Sequence, residues 1–243
     1  AAIISPVGEV KGADRGWTIV GLAGLEGHGQ RAVVMALAGS RPWRGDVTLR
    51  GRRHTARGPA AALRAGVALV PSDRQVDGLI MSWPVTRNVS LSSLRGFRRR
   101  GLLDAAAERR AAGEIGAELG LPHDRFGEPV AGLSGGNQQR ALLARVLMTK
   151  PSLLLLYDGT RGVDVATRAE ILDVLSTITA NGTSILFYSS DIAEYAEFAD
   201  RVLVMSGGSI VGEVTGPEIT EESVLALAVT AGGDRGPAAG SAS

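Results

Sequence analysis

Short, wholly apolar runs alternating with helix-forming stretches constrain this chain more than any other feature. Residues 67–70 (Val-Ala-Leu-Val) and 153–156 (four leucines) carry no polar side chain. Strands read this way when helices cover both faces of a parallel sheet. Residues 18–23 and 184–188 read as two more strands; the first leads into a glycine-rich loop over 24–29 and a helical stretch over 32–38. Pro71 stops the strand at 67–70. Residues 46–51 alternate and read as an edge strand, and 168–180 as an amphipathic helix. A hairpin is expected from 202–205 and 209–214 through Gly207-Gly208. From about 79 to 132 the pattern becomes helical, broken at Trp83-Pro84 and Leu121-Pro122. This order predicts an α/β fold, a parallel sheet with right-handed crossovers and a helical insertion. A chain of 243 residues suits one such domain.

Composition narrows the function classes. Lys+Arg number 26 against 25 Asp+Glu, so net charge makes no case for a nucleic-acid partner. Without cysteine there are neither disulfides nor thiolate metal sites, and His28, His54 and His123 share no ligand spacing, so no metal site is expected. No run of about 18 apolar residues exists to span a bilayer. The start lacks a basic-then-apolar signal segment, and Ala1 in place of methionine suits a processed chain or an excerpt. The expectation is a soluble, cytosolic-type domain. Beyond Ala231 a Gly/Ala/Ser/Pro-rich stretch, 232–243, is expected to be disordered.

The octapeptide Leu133-Ser134-Gly135-Gly136-Asn137-Gln138-Gln139-Arg140 precedes an amphipathic helical run over 141–148. Ser134 is a good N-cap, and two glycines in the first turn leave N–H groups exposed at the positive end of the helix dipole. Such a helix start binds phosphate. The run 141–148 itself reads as core packing.

These residues resemble the signature motif of ATP-binding cassette (ABC) proteins. The resemblance covers roughly residues 16–231 and is closest to the second cassette of tandem ATP-binding proteins of ribose-, galactose- and xylose-type importers. Three stretches carry it: Val70-Pro71-Ser72-Asp73-Arg74 with Asp77-Gly78-Leu79, the signature ending in Asn137-Gln138-Gln139-Arg140, and Thr160-Arg161-Gly162-Val163-Asp164-Val165. The resemblance implies a P-loop NTPase, RecA-like sheet over residues 1–231, with a helical subdomain at about 79–132 and a reduced antiparallel β subdomain. Residues 1–15 are too short and too poor in aromatics for the family's first strands and adenine platform. It also implies that the signature, Leu133, Ser134, Gly135, Gly136 and Gln138, acts on ATP held by a partner cassette. That partner lies upstream in the same chain or in a separate one. Transmembrane permease subunits are implied as further partners, reached through the segment that carries Trp83, with the chain peripheral on the cytoplasmic face of the membrane.

The chain's own nucleotide positions depart from the family pattern. A P-loop reads G-x-x-x-x-G-K-[ST]. Gly24, Gly27 and Gly29 keep the turns that wrap backbone amides around phosphate, but Gln30 stands at the lysine position and Arg31 at the hydroxyl that would bind Mg²⁺. Arg31 does not replace the lysine, because one helix residue rotates a side chain by about 100°. Glu26 adds negative charge beside the phosphate path. After strand 153–156 the family places Asp then Glu; here stand Tyr157 and Asp158, with Gly159 for proline. A phenol with a pKa near ~10 is a poor Mg²⁺ ligand. Asp158, shorter by one methylene than the family's glutamate, is the one carboxylate left as a catalytic candidate. The switch histidine position holds Ser190, the Q-loop position Ser72, and the loop expected at the cassette interface carries Asp164.

The expectation is therefore a half-site impaired in hydrolysis and weak or absent in binding Mg-ATP, with ATP and Mg²⁺ shared with the partner cassette. Two other readings stay open: a competent ATPase working through Asp158 and a rearranged P-loop, and a relic without a partner. The basic cluster Arg95-Gly96-Phe97-Arg98-Arg99-Arg100 reads first as a solvated turn between helices, and second as a contact for anionic headgroups or a transporter loop.

Overall fold

The computed structural model describes residues 2–3, 19–99 and 101–233. Trp17, Thr18 at the start of the first expected strand, nearly all of the N-terminal stretch weighed as an adenine platform, Arg100 and the tail from 234 onward lie outside these residues. Six strands form the central sheet: β1 (Ile19–Ala23), β2 (Val67–Val70), β3 (Leu153–Tyr157), β4 (Ser184–Tyr188), β5 (Arg201–Ser206) and β6 (Ser209–Thr215). Their order is β6-β5-β1-β4-β3-β2, and all run parallel except β6, which returns antiparallel beside β5. Gly207 and Gly208, at φ 54° and 82°, make the two-residue turn of that last hairpin.

The leucine run explains the sheet's two-sided burial. Leu154 and Leu156 pack into one core cluster with Val70, Ile185, Phe187 and Val202. Leu155 points the other way, into a cluster with Val20, Leu22, Val34 and Leu203, and Tyr157 packs at the edge of that second cluster. Period-two alternation thus puts successive leucines on opposite faces, both covered. Helix α1 (Gln30–Leu37) contributes Val34 and Leu37 to the second face; α5 (Gly135–Leu147) and α6 (Val165–Ala180) contribute to the first. The run 141–148 is core, as its periodicity indicated.

Four expectations need correction. Residues 46–51 are not an edge of the main sheet. Only Thr48–Leu49 is strand, and it folds straight back onto Arg52–Arg53 because Arg50 and Gly51 both take left-handed backbone (φ 50° and 71°). The span 79–132 is not wholly helical. Between α3 (Val85–Ser90) and α4 (Ala105–Glu118) a second small hairpin pairs Arg98–Arg99 with Leu102–Leu103, turning at Gly101 (φ 86°). Helix α6 starts at Val165 rather than Arg168, because the Asp164 carboxylate accepts from the Thr167 N–H (3.0 Å) and hydroxyl (2.9 Å). At the other end, α8 (Glu221–Gly233) runs two residues into the stretch expected as tail. The remaining helices are the short α2 (Pro59–Arg64) and α7 (Ala193–Phe198).

A buried cation ties α5 to the segment before α3. Arg145 is 8 % exposed; its Nε donates to the Asn88 carbonyl (2.7 Å), and its terminal nitrogens donate to Asn88 Oδ1 and the Gly78 carbonyl. Burial pushes its pKa down to about 10. Asn88 is fully buried; its Oδ1 also accepts from the Ile80 N–H, and its Nδ2 donates to the carbonyls of Ile80 and Trp83. Asn88→Ala strips these bonds and leaves a buried charge short of acceptors, so a loss of roughly 3 kcal/mol is expected. For a chain of this size that lowers Tm by roughly 6–12 °C. Thermal unfolding checks it, and a Tm within a degree of the parent contradicts it.

Candidate functional site

The parallel register brings three strand ends together. Tyr157 of β3 pairs with Tyr188 of β4, and β4 pairs with β1, so the loops after Ala23, Tyr157 and Tyr188 leave the same edge of the sheet. Sheets of this kind offer ligands a crevice at their carboxyl ends. An open cavity of about 230 Å³ lies there, lined by Gly24, Glu26, Ser190, Tyr195 and, from α8, Leu225 and Ala228.

The loop 24–29 turns through Gly24, Gly27 and Gly29, all at positive φ. A Cβ at Gly24 would lie 2.2 Å from the Met205 carbonyl oxygen, so no other residue fits. Gln30, only 2 % exposed, turns back beneath the loop, and its Nε2 donates to the Leu25 carbonyl (3.1 Å). Arg31 is exposed at the first turn of α1. His28 is half-buried, with no hydrogen-bond partner for Nδ1 among the described residues. The Gly208 N–H holds its carbonyl.

At the end of β3 the Tyr157 ring stacks on Tyr188, centroids 5.0 Å apart and planes 17° apart. Burial raises the Tyr157 phenol pKa, and the charge of Arg31 pulls against that rise. Tyr188 is raised as well, first by burial. Asp158 is 6 % exposed and holds a left-handed backbone (φ 55°). Its Oδ1 accepts from both the N–H and the hydroxyl of Ser190, each at 2.9 Å. Two residues read separately from the sequence therefore meet. Ser72 stands two residues past β2, half-buried.

The signature positions form a second cluster. The exposed Ser134 caps α5, its hydroxyl accepting from the Asn137 N–H (3.4 Å). Space for the two glycines is dictated by neighbours: a Cβ at Gly135 would meet Arg74 Nη2 at 2.8 Å, and one at Gly136 would meet Thr167 Cγ2 at 2.9 Å. Leu133 is core. Gln138 does not face outward with them. It is 5 % exposed; its Oε1 accepts from Gln75 Nε2 (3.1 Å) and Arg74 Nε (3.4 Å), and its Nε2 donates to the Leu133 carbonyl (3.1 Å). An amide at the fourth residue of a helix points back over the first turn, where the turn Arg74–Gly78 supplies partners. Gln139 Nε2 donates to the Gly159 carbonyl, linking α5 to the loop after β3. Among the described residues no hydrogen bond joins 133–140 to the loop 24–31.

Sequence reading missed the residues that hold the loop 158–164. Glu194, 4 % exposed, accepts from the Thr160 hydroxyl. Burial raises its pKa, while hydrogen bonds from Thr160 and Ser189 and the charge of Arg168 oppose the rise. Arg168 itself meets Asp191 at 2.5 Å, Glu197 at 3.7 Å and Glu194 at 3.9 Å. The acids recur every third residue over 191–197, which is a readable signal of one helix face turned to a cation. In the sequence Arg74 stands out only as the end of the stretch 70–74, and its place beside Gly135 has no local cue.

The segment expected to meet a membrane subunit divides in two: Leu79 and Val85 are core at 5 % and 1 % exposure, whereas Trp83 is 42 % exposed. His54 is buried against the Leu37 carbonyl and stacks on Trp43, and His123 sits beside Phe126, so neither joins a site. No group of three or more metal-ligating side chains occurs among the described residues.

The family model described as ABC transporter matches residues 15–161. The chain is 45 % identical over 211 residues to the ribose import ATP-binding protein RbsA 2 of Streptomyces avermitilis, covering 86 % of this chain and 42 % of that one. It is 41 % identical over 219 residues to RbsA 1 of Rhizobium etli, covering 89 % and 43 %. The chain thus spans less than half the length of the curated relatives it matches. Among solved structures, a nucleotide-free ATP-binding cassette from an ABC transporter superposes with a TM-score of 0.72 at 19 % identity, over 86 % of this chain and 84 % of that one. A dimeric post-hydrolysis state of the cassette MJ0796 bound to ADP and phosphate gives 0.68 at 22 %, over 82 % and 85 %. The fold is that of a P-loop NTPase cassette, as expected from the sequence.

Proposed function

The chain belongs to the ABC transporter family, and from that premise we propose that it is one cassette of a sugar importer, lending its signature helix to a partner's ATP while its own pocket is impaired in hydrolysis. The end of β3 carries this reading. Tyr157 stands where a metal carboxylate would be needed, and Asp158 Oδ1 already accepts two hydrogen bonds from Ser190.

A nucleotide's phosphates suit the loop 24–29, where glycine turns and the start of α1 present backbone N–H groups. Magnesium does not suit it. Mg²⁺ wants carboxylate and hydroxyl oxygens at octahedral positions. At the metal positions themselves stand a neutral phenol whose pKa burial raises, the cation of Arg31 and a neutral Gln30 amide bonded to its own loop; of the two carboxylates nearby, Asp158 Oδ1 is taken up by Ser190 and Glu26 is exposed. This chain's own residues then hold phosphate without completing a metal site.

Two further supports bear on the assembly. Relatives named as ribose import ATP-binding proteins are more than twice as long as the matched span, which favours a tandem-cassette origin; the likeness to a second cassette rests on the sequence stretches 70–79, 133–140 and 160–165 alone. Sugar as the transported class rests on those names. The exposed Trp83, at the tip of a segment otherwise anchored in the core, is our candidate contact for a permease subunit, and no helix among the described residues is long and apolar enough to cross a membrane. The chain would then act at the cytoplasmic face through its partners.

Isothermal titration with ATP, with and without Mg²⁺, tests the impaired pocket directly. Weak binding that Mg²⁺ does not tighten is expected, with no phosphate release. Micromolar, Mg²⁺-dependent binding with steady turnover would overturn the reading in favour of an ATPase working through Asp158.

A further inference from the structure

The arginine-rich hairpin between α3 and α4 has no part in either nucleotide cluster. Arg95, Arg98 and Arg99 are exposed, as are Arg109 and Arg110 on α4. Leu102, beside the Gly101 turn, is 77 % exposed. A lone exposed leucine is ordinary on a soluble surface. Its setting here is not. Arg87, Arg125, Arg140, Arg168 and Arg201 each meet an acid within 4 Å. Among the described residues, no ion pair within 4 Å reaches any of these five arginines, although, after the Ala107 N–H, the charges of Arg99 and Arg110 help to lower the Asp104 pKa.

The nearby acids are already engaged. Asp104 caps α4, accepting from the N–H groups of Ala106 (3.2 Å) and Ala107 (3.0 Å). Glu108 is 1 % exposed, accepting from the Ser90 hydroxyl (2.6 Å) and pairing with Arg87 at 3.1 Å. Glu114, one turn beyond Arg110, is the next exposed acid. The result is an exposed leucine paired across the hairpin with Arg99, on a segment whose exposed cations outnumber its free acids.

We propose that this hairpin contacts anionic lipid headgroups, with Leu102 entering the interface and the arginines meeting lipid phosphates. An aliphatic tip favours lipid over single-stranded nucleic acid, which is usually gripped by exposed aromatic platforms; Phe97, the aromatic of this hairpin, is half-buried. One leucine and a handful of cations give a weak, reversible, salt-sensitive attachment that supplements docking on a membrane subunit. None of these residues belongs to the loop 24–31 or to the signature, so the inference stands or falls apart from the cassette reading.

The test is co-sedimentation of the full chain with phosphatidylcholine vesicles, with and without phosphatidylglycerol, at low and high salt. Binding is expected only with phosphatidylglycerol and is expected to weaken as salt rises. Arg98→Glu with Arg99→Glu should cut the bound fraction at least ~10-fold, since each lost cation is worth roughly fivefold near such a surface. Leu102→Ser should weaken binding severalfold while leaving its salt dependence unchanged. Arg50→Glu with Arg52→Glu, the same charge change on the other exposed hairpin, should leave binding at the parent level. All five positions are exposed, so unchanged melting curves accompany each result. The proposal is overturned by absent or equal binding on the two vesicle types, by an equal loss from the Arg50/Arg52 variant, or by an RNA oligomer or acidic peptide displacing the vesicles at lower concentration.

Discussion

Installing Gln30→Lys, Arg31→Ser and Tyr157→Asp together is expected to raise ATP turnover by this chain, assembled with its partner, by at least ~100-fold over the parent half-site. Each substitution restores one requirement of phosphoryl transfer. Gln30 lies buried at the base of the loop with its amide on the Leu25 carbonyl, so a lysine there enters a position already aimed at the loop interior. That charge alone is worth about 1.5–3 kcal/mol, or one to two decades of nucleotide affinity. It does nothing for the metal. Arg31→Ser removes the cation and supplies a hydroxyl, and Tyr157→Asp supplies the carboxylate at the strand end. The last change has a cost: it removes the ring stacked on Tyr188 and the apolar area packed beside Leu155, so a loss of a few kcal/mol in stability is expected. Gln30→Lys by itself should tighten nucleotide without raising turnover. Phosphate release under saturating Mg-ATP is the measurement. Full activity from Gln30→Lys alone would mean that Tyr157 and Arg31 do not exclude the metal.

Residues buried on both sides were the readable ones. The four leucines of β3 show no polar residue because both faces of the sheet are covered, and that pattern needs no knowledge of the neighbours. Ser134 was legible as a cap because capping is local, reaching only to Asn137. Asp164 was equally local but was read for its place in a loop, and its carboxylate instead starts α6 three residues early. The two small hairpins escaped because their strands are two residues long, too short for any periodicity. What sequence cannot show are contacts between distant positions. Arg74 lies against Gly135, Gln138 is turned inward by Gln75, Gln139 reaches the Gly159 carbonyl and Arg145 is buried on Asn88. The pairing of Asp158 with Ser190 belongs to the same class: both positions were named from the sequence, but only the register of β3 on β4 brings them into contact.

The division of labour between the two clusters is tested most directly by ATP hydrolysis in the complex reconstituted with an intact partner cassette, with Ser134→Arg and Asp158→Asn beside the parent. Ser134 is exposed at the first turn of α5, and the Arg74 guanidinium already crowds Gly135 next to it. A second bulky cation there blocks the helix start from a partner's phosphate and removes a cap worth roughly 1 kcal/mol, too little to unfold the chain. Loss of aimed donors of this kind typically costs two to three decades of rate, so hydrolysis by the partner site is expected to fall at least ~100-fold. Asp158→Asn keeps an oxygen for the Ser190 bonds and removes only charge. In a pocket without a metal carboxylate it should leave the rate within about twofold of the parent. A silent Ser134→Arg together with an inactivating Asp158→Asn would contradict this account and make this chain the hydrolytic half.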